Sequence, residues 1–335
     1  MKLHEIGEFG YIDRIAKRFE DMSSPGFLGI GDDCAIIPCN DSEDYVITTD
    51  LLIEDIHFLK DRITPVELGH KALAVNLSDI AAMGAKPVGS FLSVGIPAET
   101  KVEYLDDVML GYHNLSRKYN VPLLGGDTTK SKEYLTINVG VVGKCLKGSA
   151  RLRSMAQEDD VVCVTGFLGD SSGGLEVLLH QLPETKDNLH LVRCHHLPEP
   201  HVNEGLWLAK HSVIHAMIDV SDGISSDLLH ILKASRKSAL IDIDKIPVSE
   251  TLRKVALSQD WDLERLITAG GEDYVLLVTL EANSFKEINT GYKAAFGKDL
   301  YQIGNIIAGE SCIKWIRNND EIVLHQIGFN HFNKA

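Results

Sequence analysis

The chain has no Cys-x-x-Cys pair. Its six cysteines stand at positions 34, 39, 145, 163, 194 and 312, most of them in apolar, strand-like runs. That pattern excludes a disulfide framework and predicts reduced thiols. No stretch approaches the roughly 20 apolar residues of a membrane span, and Met1–Glu8 lacks the apolar segment of a secretory signal. A reducing cytoplasm is the expected compartment. Cations are scarce: 33 Lys and Arg stand against 48 Asp and Glu, for a net charge of −15. Such a surface argues against nucleic-acid and anionic-membrane partners. Also missing are G-x-x-x-x-G-K-[ST], the H-R-D and D-F-G pair, and H-E-x-x-H.

What is present centres on Lys71-Ala-Leu-Ala-Val-Asn-Leu-Ser-Asp-Ile-Ala-Ala-Met-Gly84, a helix apolar nearly all round. Such a helix is buried. Asp79 stands in its middle, with Asn76 one turn earlier on the same face. No Lys, Arg or His lies three or four residues from Asp79. A lone buried carboxylate costs several kcal/mol unless it is paired or metal-bound, so a distant basic residue or a cation must serve it.

At 335 residues, 44% of them hydrophobic, the chain affords two domains with sizeable cores. Apolar spacing predicts a helix over 4–20. Gly29–Pro38 is a Gly-rich entry into a strand, and Tyr45–Asp50 is a strand ending on an acid. Strands follow at Val88–Ile96 and Leu135–Val142, and a helix at Val102–Tyr119. Val121–Asp127 reads as a strand running into a Gly-Gly-Asp turn. Polar Lys144–Asp160 holds the expected boundary, giving domains 1–148 and 149–335. The second half restarts with strand Val161–Thr165 and a glycine loop, Gly166–Gly174, opening a helix. Ala216–Gly223 is a strand into a turn, Ile224–Ser235 a helix, Ala239–Ile243 a strand, and Ala269–Thr279 a turn and strand. The class is α/β (α+β), with at most a faint echo between the halves.

Five places set acids beside Gly, Ser or Thr: Asp32-Asp33, Thr48-Thr49-Asp50, Asp79, Gly126-Asp127 and Asp219-Val-Ser-Asp222. Carboxylate and hydroxyl oxygens are hard ligands suited to Mg²⁺ with phosphates, and neighbouring glycines let backbone N–H groups approach phosphate oxygens. Taken singly, each is also an ordinary turn. The Gly166–Gly174 loop suits an anion at a helix N-terminus or a tight turn equally. Cys194-His195-His196 invites a zinc reading, disfavoured for want of a further ligand at metal spacing. Arg153, in the basic Arg151-Leu-Arg153 patch, suits a phosphate clamp or a solvated linker charge.

In order, Gly29-Ile-Gly-Asp-Asp33, Thr48-Thr-Asp50…His57-Phe58, Asn76-Leu-Ser-Asp79…Gly84-Ala-Lys-Pro87, Gly125-Gly-Asp-Thr128, Asp219-Val-Ser-Asp-Gly223, Gly270-Gly-Glu-Asp-Tyr274 and Gly328-Phe-Asn-His-Phe332 resemble the thiamine-monophosphate kinase family. That family lies in the superfamily of aminoimidazole ribonucleotide synthetase and selenophosphate synthetase. The resemblance spans about Gly7 to Phe332. It implies transfer of phosphate from ATP to thiamine phosphate, several Mg²⁺ ions, and a homodimer formed through the first domain's sheet with ATP near the subunit interface. It assigns Asp33, Thr48, Thr49, Asp50, Asp79, Asp127, Asp219 and Asp222 to Mg²⁺. Gly126, Asp127, Arg153 and Ser221 fall to ATP, and His57, Glu272 and Phe329 to thiamine phosphate. Met109 stands where relatives can place a Tyr near the nucleotide, which leaves the adenine pocket open. The acceptor is an ionised phosphate, so no general base is expected and catalysis rests on positioning and charge neutralisation. The alternatives are a synthetase of the aminoimidazole ribonucleotide type and a non-enzymatic nucleotide-binding protein. A selenophosphate synthetase needs a reactive Cys in a Gly-rich N-terminal loop, and none precedes Cys34.

Overall fold

The computed structural model describes residues 3–22 and 24–324. The first half contains α1 (Gly7–Phe19), β1 (Ala35–Pro38), β2 (Glu43–Ile53), α2 (Pro65–Ala82), β3 (Lys86–Pro97), α3 (Val102–Tyr119), β4 (Leu123–Ser131) and β5 (Thr136–Leu146). The second half begins with β6 (Val161–Val164), α4 (Asp170–Leu179), α5 (Lys186–His196), α6 (Val202–Leu208), β7 (Ile214–Asp219) and α7 (Ile224–Ser235). It continues through β8 (Ser238–Asp242), α8 (Glu250–Gln259), α9 (Leu263–Thr268), β9 (Leu276–Leu280), α10 (Phe285–Phe296), β10 (Tyr301–Ile307), β11 (Ile313–Arg317) and β12 (Asp320–Ile322).

The first sheet runs β1-β2-β5-β3-β4 and the second β12-β11-β8-β10-β6-β9-β7. Pairing is antiparallel except β3 with β4 and β8 with β11. Helix α2 starts at Pro65, well before the apolar run that marks it in the sequence. Thr64 and Glu67 form a reciprocal capping box and Pro65 takes the first helical position. Its neighbour α3 comes unusually close. A Cβ on Gly69 would lie 1.8 Å from the Val108 carbonyl oxygen, and one on Gly111 would lie 1.8 Å from that of Val66. Only glycines permit that crossing.

Buried Ile137, Val139 and Val141 alternate along β5 toward α2. The core formed there runs on to Val161, Cys163, Met217 and Val278 of the second sheet. Alternate residues of that sheet, Val162, Val164, Ile218 and Leu277, join a second core with α4, α7 and α8. Both faces of the second sheet are thus covered, and α2 is wedged between the two sheets.

Two expectations need correction. Gly125-Gly126-Asp127 is not a turn but the middle of β4, paired in parallel with β3. Strand β5 also runs to Leu146, so the strand ladder enters the polar stretch expected to be linker.

Candidate active site

Alternation on β2 sends Thr48 and Asp50 toward α2 and Thr49 to the opposite face. Helical spacing brings Asn76 and Asp79 to meet them. The Asp50 N–H donates to Asn76 Oδ1 at 3.1 Å, and the Thr48 hydroxyl donates to Asp79 Oδ2. Asp219 ends β7, where Ser78 Oγ of α2 donates to its Oδ2 at 2.6 Å. Asp33, from the glycine loop before β1, completes the cluster: one carboxylate oxygen each of Asp33, Asp79 and Asp219 lie within 4.8 Å of one another. The Arg153 Nη2 donates to Asp33 Oδ1 at 2.6 Å, and the Arg153 N–H to Asp32 Oδ2 at 3.1 Å. Among the described residues no Lys or Arg pairs with Asp79.

Burial, and then mutual repulsion, raises these carboxyl groups. Asp219 is pushed up to about 8 by burial and by Asp33. Asp32 is pushed up to about 7 by burial and Asp33, and Asp50 to about 6 by burial. Asp79 is raised well above the usual range by burial, Asp50, Asp219 and Asp33. Asp33 Oδ2 is buried with no hydrogen-bond partner. Repelling carboxylates, hydroxyls and an orphaned acceptor form an all-oxygen donor set, which fits a hard dication such as Mg²⁺. Asp222 follows in the turn two residues before α7. Burial raises it to about 6, with further pushes from Glu8, Asp50 and Glu272, and its N–H donates to Asp227 Oδ2 at 3.2 Å.

The second part of the site is built around Lys71, whose side chain is 0% exposed. Its Nζ donates to Glu272 Oε2 at 2.9 Å. His195 completes the group, with Nδ1 3.2 Å from the same oxygen and Nε2 3.5 Å from Lys71 Nζ. Burial and Lys71 push His195 down to about 3, so it is neutral. Accepting from Lys71 at Nε2 leaves the proton on Nδ1, facing Glu272. Burial alone would raise Glu272, but Lys71, His195 and His57 hold it below the usual range. Glu272 also sits at φ 65°, a left-handed conformation that is strained for a non-glycine residue. Its N–H is anchored on the Ser221 carbonyl oxygen at 2.7 Å. His57 lies in the turn after β2, where its Nδ1 accepts from the Ile53 N–H at 3.1 Å.

Not every expected residue joins this group. Thr49 Oγ1 donates to the Val139 carbonyl at 3.1 Å on the outer face of the sheet. Asp127 pairs in register with Ser93, then Asn138, then Leu51. Three strand spacings, about 14 Å, separate it from β2. Gly126 and Asp127 instead border a cavity of about 480 Å³ between α2, α3 and the sheet, with Met109 and Tyr112 on its helical wall. Phe329 lies outside the described residues. The anion place at the glycine loop is filled from within: Gly169 and Ser171 N–H groups donate to Asp273 at 2.7 and 3.2 Å. His195 and His196 do not converge on Cys194. They face Glu272 and Glu67, at 3.2 and 3.6 Å.

Sequence reasoning gave Lys71, Asp227 and Asp273 no role, named Asp32 only as the neighbour of Asp33, and named His195 only in the disfavoured zinc reading. Lys71 had a signal, as the one cation in an otherwise apolar helical run. Gly169-Asp-Ser-Ser-Gly173 has G-x-S-x-G spacing, but it makes no hydrolase triad. Ser171 is buried in α4 and shares His195 Nδ1, at 3.1 Å, with Glu272, so the ring relays nothing between them.

The two α/β halves place the chain in the class of AIR synthase related proteins. The family model of their N-terminal domain matches residues 31–145 and that of their C-terminal domain residues 157–315. Within that class, the chain belongs to the thiamine-monophosphate kinase family. It is 36% identical to the thiamine-monophosphate kinase of Buchnera aphidicola subsp. Schizaphis graminum, over 98% of this chain and 99% of the relative. It is 36% identical to that of Escherichia coli K12, over 97% and 98%. A solved structure described as AaThiL complexed with AMPPCP and TMP superposes with a TM-score of 0.86 at 30% identity, covering 99% of both chains.

Proposed function

We infer that this chain is a thiamine-phosphate kinase that transfers the γ-phosphoryl group of ATP to thiamine phosphate, giving thiamine diphosphate and ADP. One observation carries the reading. An all-oxygen acidic cluster and the Lys71-paired Glu272 lie on adjoining backbone: Asp219 of the cluster leads into Val220 and Ser221, whose carbonyl oxygens accept from the Tyr274 and Glu272 N–H groups at 2.9 and 2.7 Å, on a chain 36% identical to thiamine-monophosphate kinases over 97–98% of its length.

Asp33, Thr48, Asp50, Asp79, Asp219 and Asp222 would hold Mg²⁺, which neutralises the charge of two polyanions meeting on an acidic protein. Thr49 and Asp127, outside the cluster within one chain, belong to the same reading as ligands that serve at a subunit interface. Exposed Leu51, Phe91 and Leu124 on or beside that outer face support a homodimer through the first sheet. The cavity walled by Met109 suits the adenine, with Gly126 at its border. Arg153 and Ser221 would meet the phosphates from the second half. Glu272 would face the cationic thiazolium, paired by Lys71, with His57 beside it, and Phe329, outside the described residues, keeps only the acceptor role that the resemblance implies. The acceptor's phosphate oxygen is already ionised. It attacks the γ-phosphorus, the bond to the bridging oxygen breaks, and ADP leaves with that electron pair, so no side chain has to remove a proton. Domain limits at 148 and 149 and a cytoplasmic location complete the proposal. No helix of the described residues is long and apolar enough to cross a membrane.

The test is mass spectrometry of the products from ATP, thiamine phosphate and Mg²⁺. Thiamine diphosphate and ADP in equal amounts, lost on chelation and restored by Mg²⁺, are expected. ADP release that ignores thiamine phosphate would defeat the reading.

A further inference from the structure

A second cluster of metal-ligating side chains lies outside the acidic site. His190 and Cys194 stand one turn apart on α5, so both project from one face. Cys194 Sγ is 3.8 Å from His190 Nε2. A carboxylate oxygen of Asp170, from the first turn of α4, joins them, and the three ligand atoms lie within 4.8 Å of one another. We propose that Asp170, His190 and Cys194 form a binding site for a borderline-soft divalent cation of the Zn²⁺ type, distinct from the all-oxygen cluster.

The spacing fits the chemistry. Tetrahedral bonds of about 2.3 Å to sulfur and about 2.0 Å to nitrogen put those two atoms about 3.5 Å apart, a few tenths of an ångström from what the side chains already show. Ser249 Oγ donates to Asp170 Oδ1 at 2.5 Å and fixes the carboxylate, as outer partners of metal ligands do. Asp170 is buried, Cys194 half-buried and His190 exposed, which gives an ion a route from solvent and leaves a position for water. On binding, the thiol proton passes to solvent and sulfur bonds the metal as thiolate. A mixed sulfur, nitrogen and oxygen set discriminates against Mg²⁺, which prefers oxygens alone.

Position gives the site a consequence. Cys194 adjoins His195 and Asp170 adjoins Ser171. Ser171 lies 3.1 Å from the His195 ring, which lies 3.2 Å from Glu272. An ion that ties α4 to α5 therefore fixes the group that orients Glu272. This consequence, unlike the site itself, rests on Glu272 serving the acceptor.

The experiment titrates Co²⁺, as a spectroscopic stand-in for Zn²⁺, into chelator-stripped full-length protein in millimolar Mg²⁺. Wild type is expected to show a thiolate-to-cobalt absorption that saturates at one ion per chain and is displaced by Zn²⁺. Cys194→Ser should lose the band. His190→Ala, altered at an exposed position, should keep its fold and bind roughly tenfold or more weakly. Absence of the band in wild type, or its persistence in Cys194→Ser, overturns the site. For the consequence, Zn²⁺ should shift the KM for thiamine phosphate in wild type and leave Cys194→Ser unmoved. Equal shifts in both proteins would reject the coupling. The cobalt titration decides the site even for a chain with no kinase activity.

Discussion

At the residue scale, the account turns on carboxylates kept together for a purpose other than stability. Asp79 sits among Asp33, Asp50 and Asp219, and among the described residues only the Thr48 hydroxyl donates to its carboxyl group. Asp79→Asn should abolish turnover yet leave the metal-free protein as stable or more stable, since one repelling charge is gone. Activity near wild type at saturating Mg²⁺ would remove Asp79 from the site. The same carboxyls set a pH dependence. Asp219 at about 8 and Asp32 at about 7 titrate far above their ordinary value of 3.8. In that window the folded chain binds more protons than the unfolded one, so stability falls as pH rises through the folded values. Buried His195, depressed to about 3, acts in the opposite sense, but only below its ordinary value near 6.5. Between about pH 6.5 and 8.5 the metal-free melting temperature should therefore drop, and Mg²⁺ should raise it more at the alkaline end. A Mg²⁺ effect that is flat with pH would mean the ion binds elsewhere. Asp79 itself was legible, because a charge in an apolar helix demands a partner. Lys71 opens the same run, yet its partner lies 201 residues away, and no local spacing predicts such a pair.

Lys71 and Glu272 carry a further prediction. Lys71→Met strands Glu272 in a largely buried place and should cost about 3 kcal/mol, in the range for breaking a buried pair. Adding Glu272→Gln should recover much of it, and denaturant melts of the four proteins measure the coupling. Glu272→Gln alone should raise the KM for thiamine phosphate several-fold and spare that for ATP, the pattern of lost uniform binding. Loss of ATP affinity instead would put the acceptor elsewhere.

At the element scale, α2 organises the chain. Its burial was legible from its composition, and its start was readable too, since Thr64-Pro-Val-Glu67 carries the capping-box spacing with Pro at the first helical position, a signal the apolar run alone does not give. The strands of the first sheet were legible from alternation. The extent of β4 was not, since nearly all its residues are exposed and no apolar period marks an edge strand. The glycine loop before α4 was open to two readings, an anion place or a tight turn. Its N–H groups are taken by the carboxyl group of the chain's own Asp273, which approaches from a segment distant in sequence. Close packing of α2 on α3 gives a sharp test. Gly69→Ala would push a methyl group to 1.8 Å from the Val108 carbonyl oxygen. Overpacking of this kind costs about 1–3 kcal/mol, and the melting temperature should fall by several degrees. An unchanged melting curve would show that the two helices separate freely.

At the scale of the whole molecule, two sheets share α2, and the acidic cluster draws on both halves: Asp33, Asp50 and Asp79 from the first, Asp219 from the second. Such a site senses how the halves sit on one another. The two-part α/β design was legible from the restart of strand patterns after residue 160. The wedging of α2 between the sheets was not, because a helix apolar on all sides does not say what it is buried against. Thr49 bonds on the opposite face of the sheet and Asp127 stands three strand spacings from β2, so a role for both as ligands calls for a second copy, and sedimentation should find a dimer at micromolar concentration. Full activity from a monomer would contradict that. The most direct measurement is single-turnover transfer from ATP labelled in its γ-phosphoryl oxygens to thiamine phosphate, followed by mass spectrometry. The account predicts thiamine diphosphate carrying the labelled group, with one ADP for each. Unlabelled product, AMP in place of ADP, or nucleotide hydrolysis without thiamine diphosphate would contradict it.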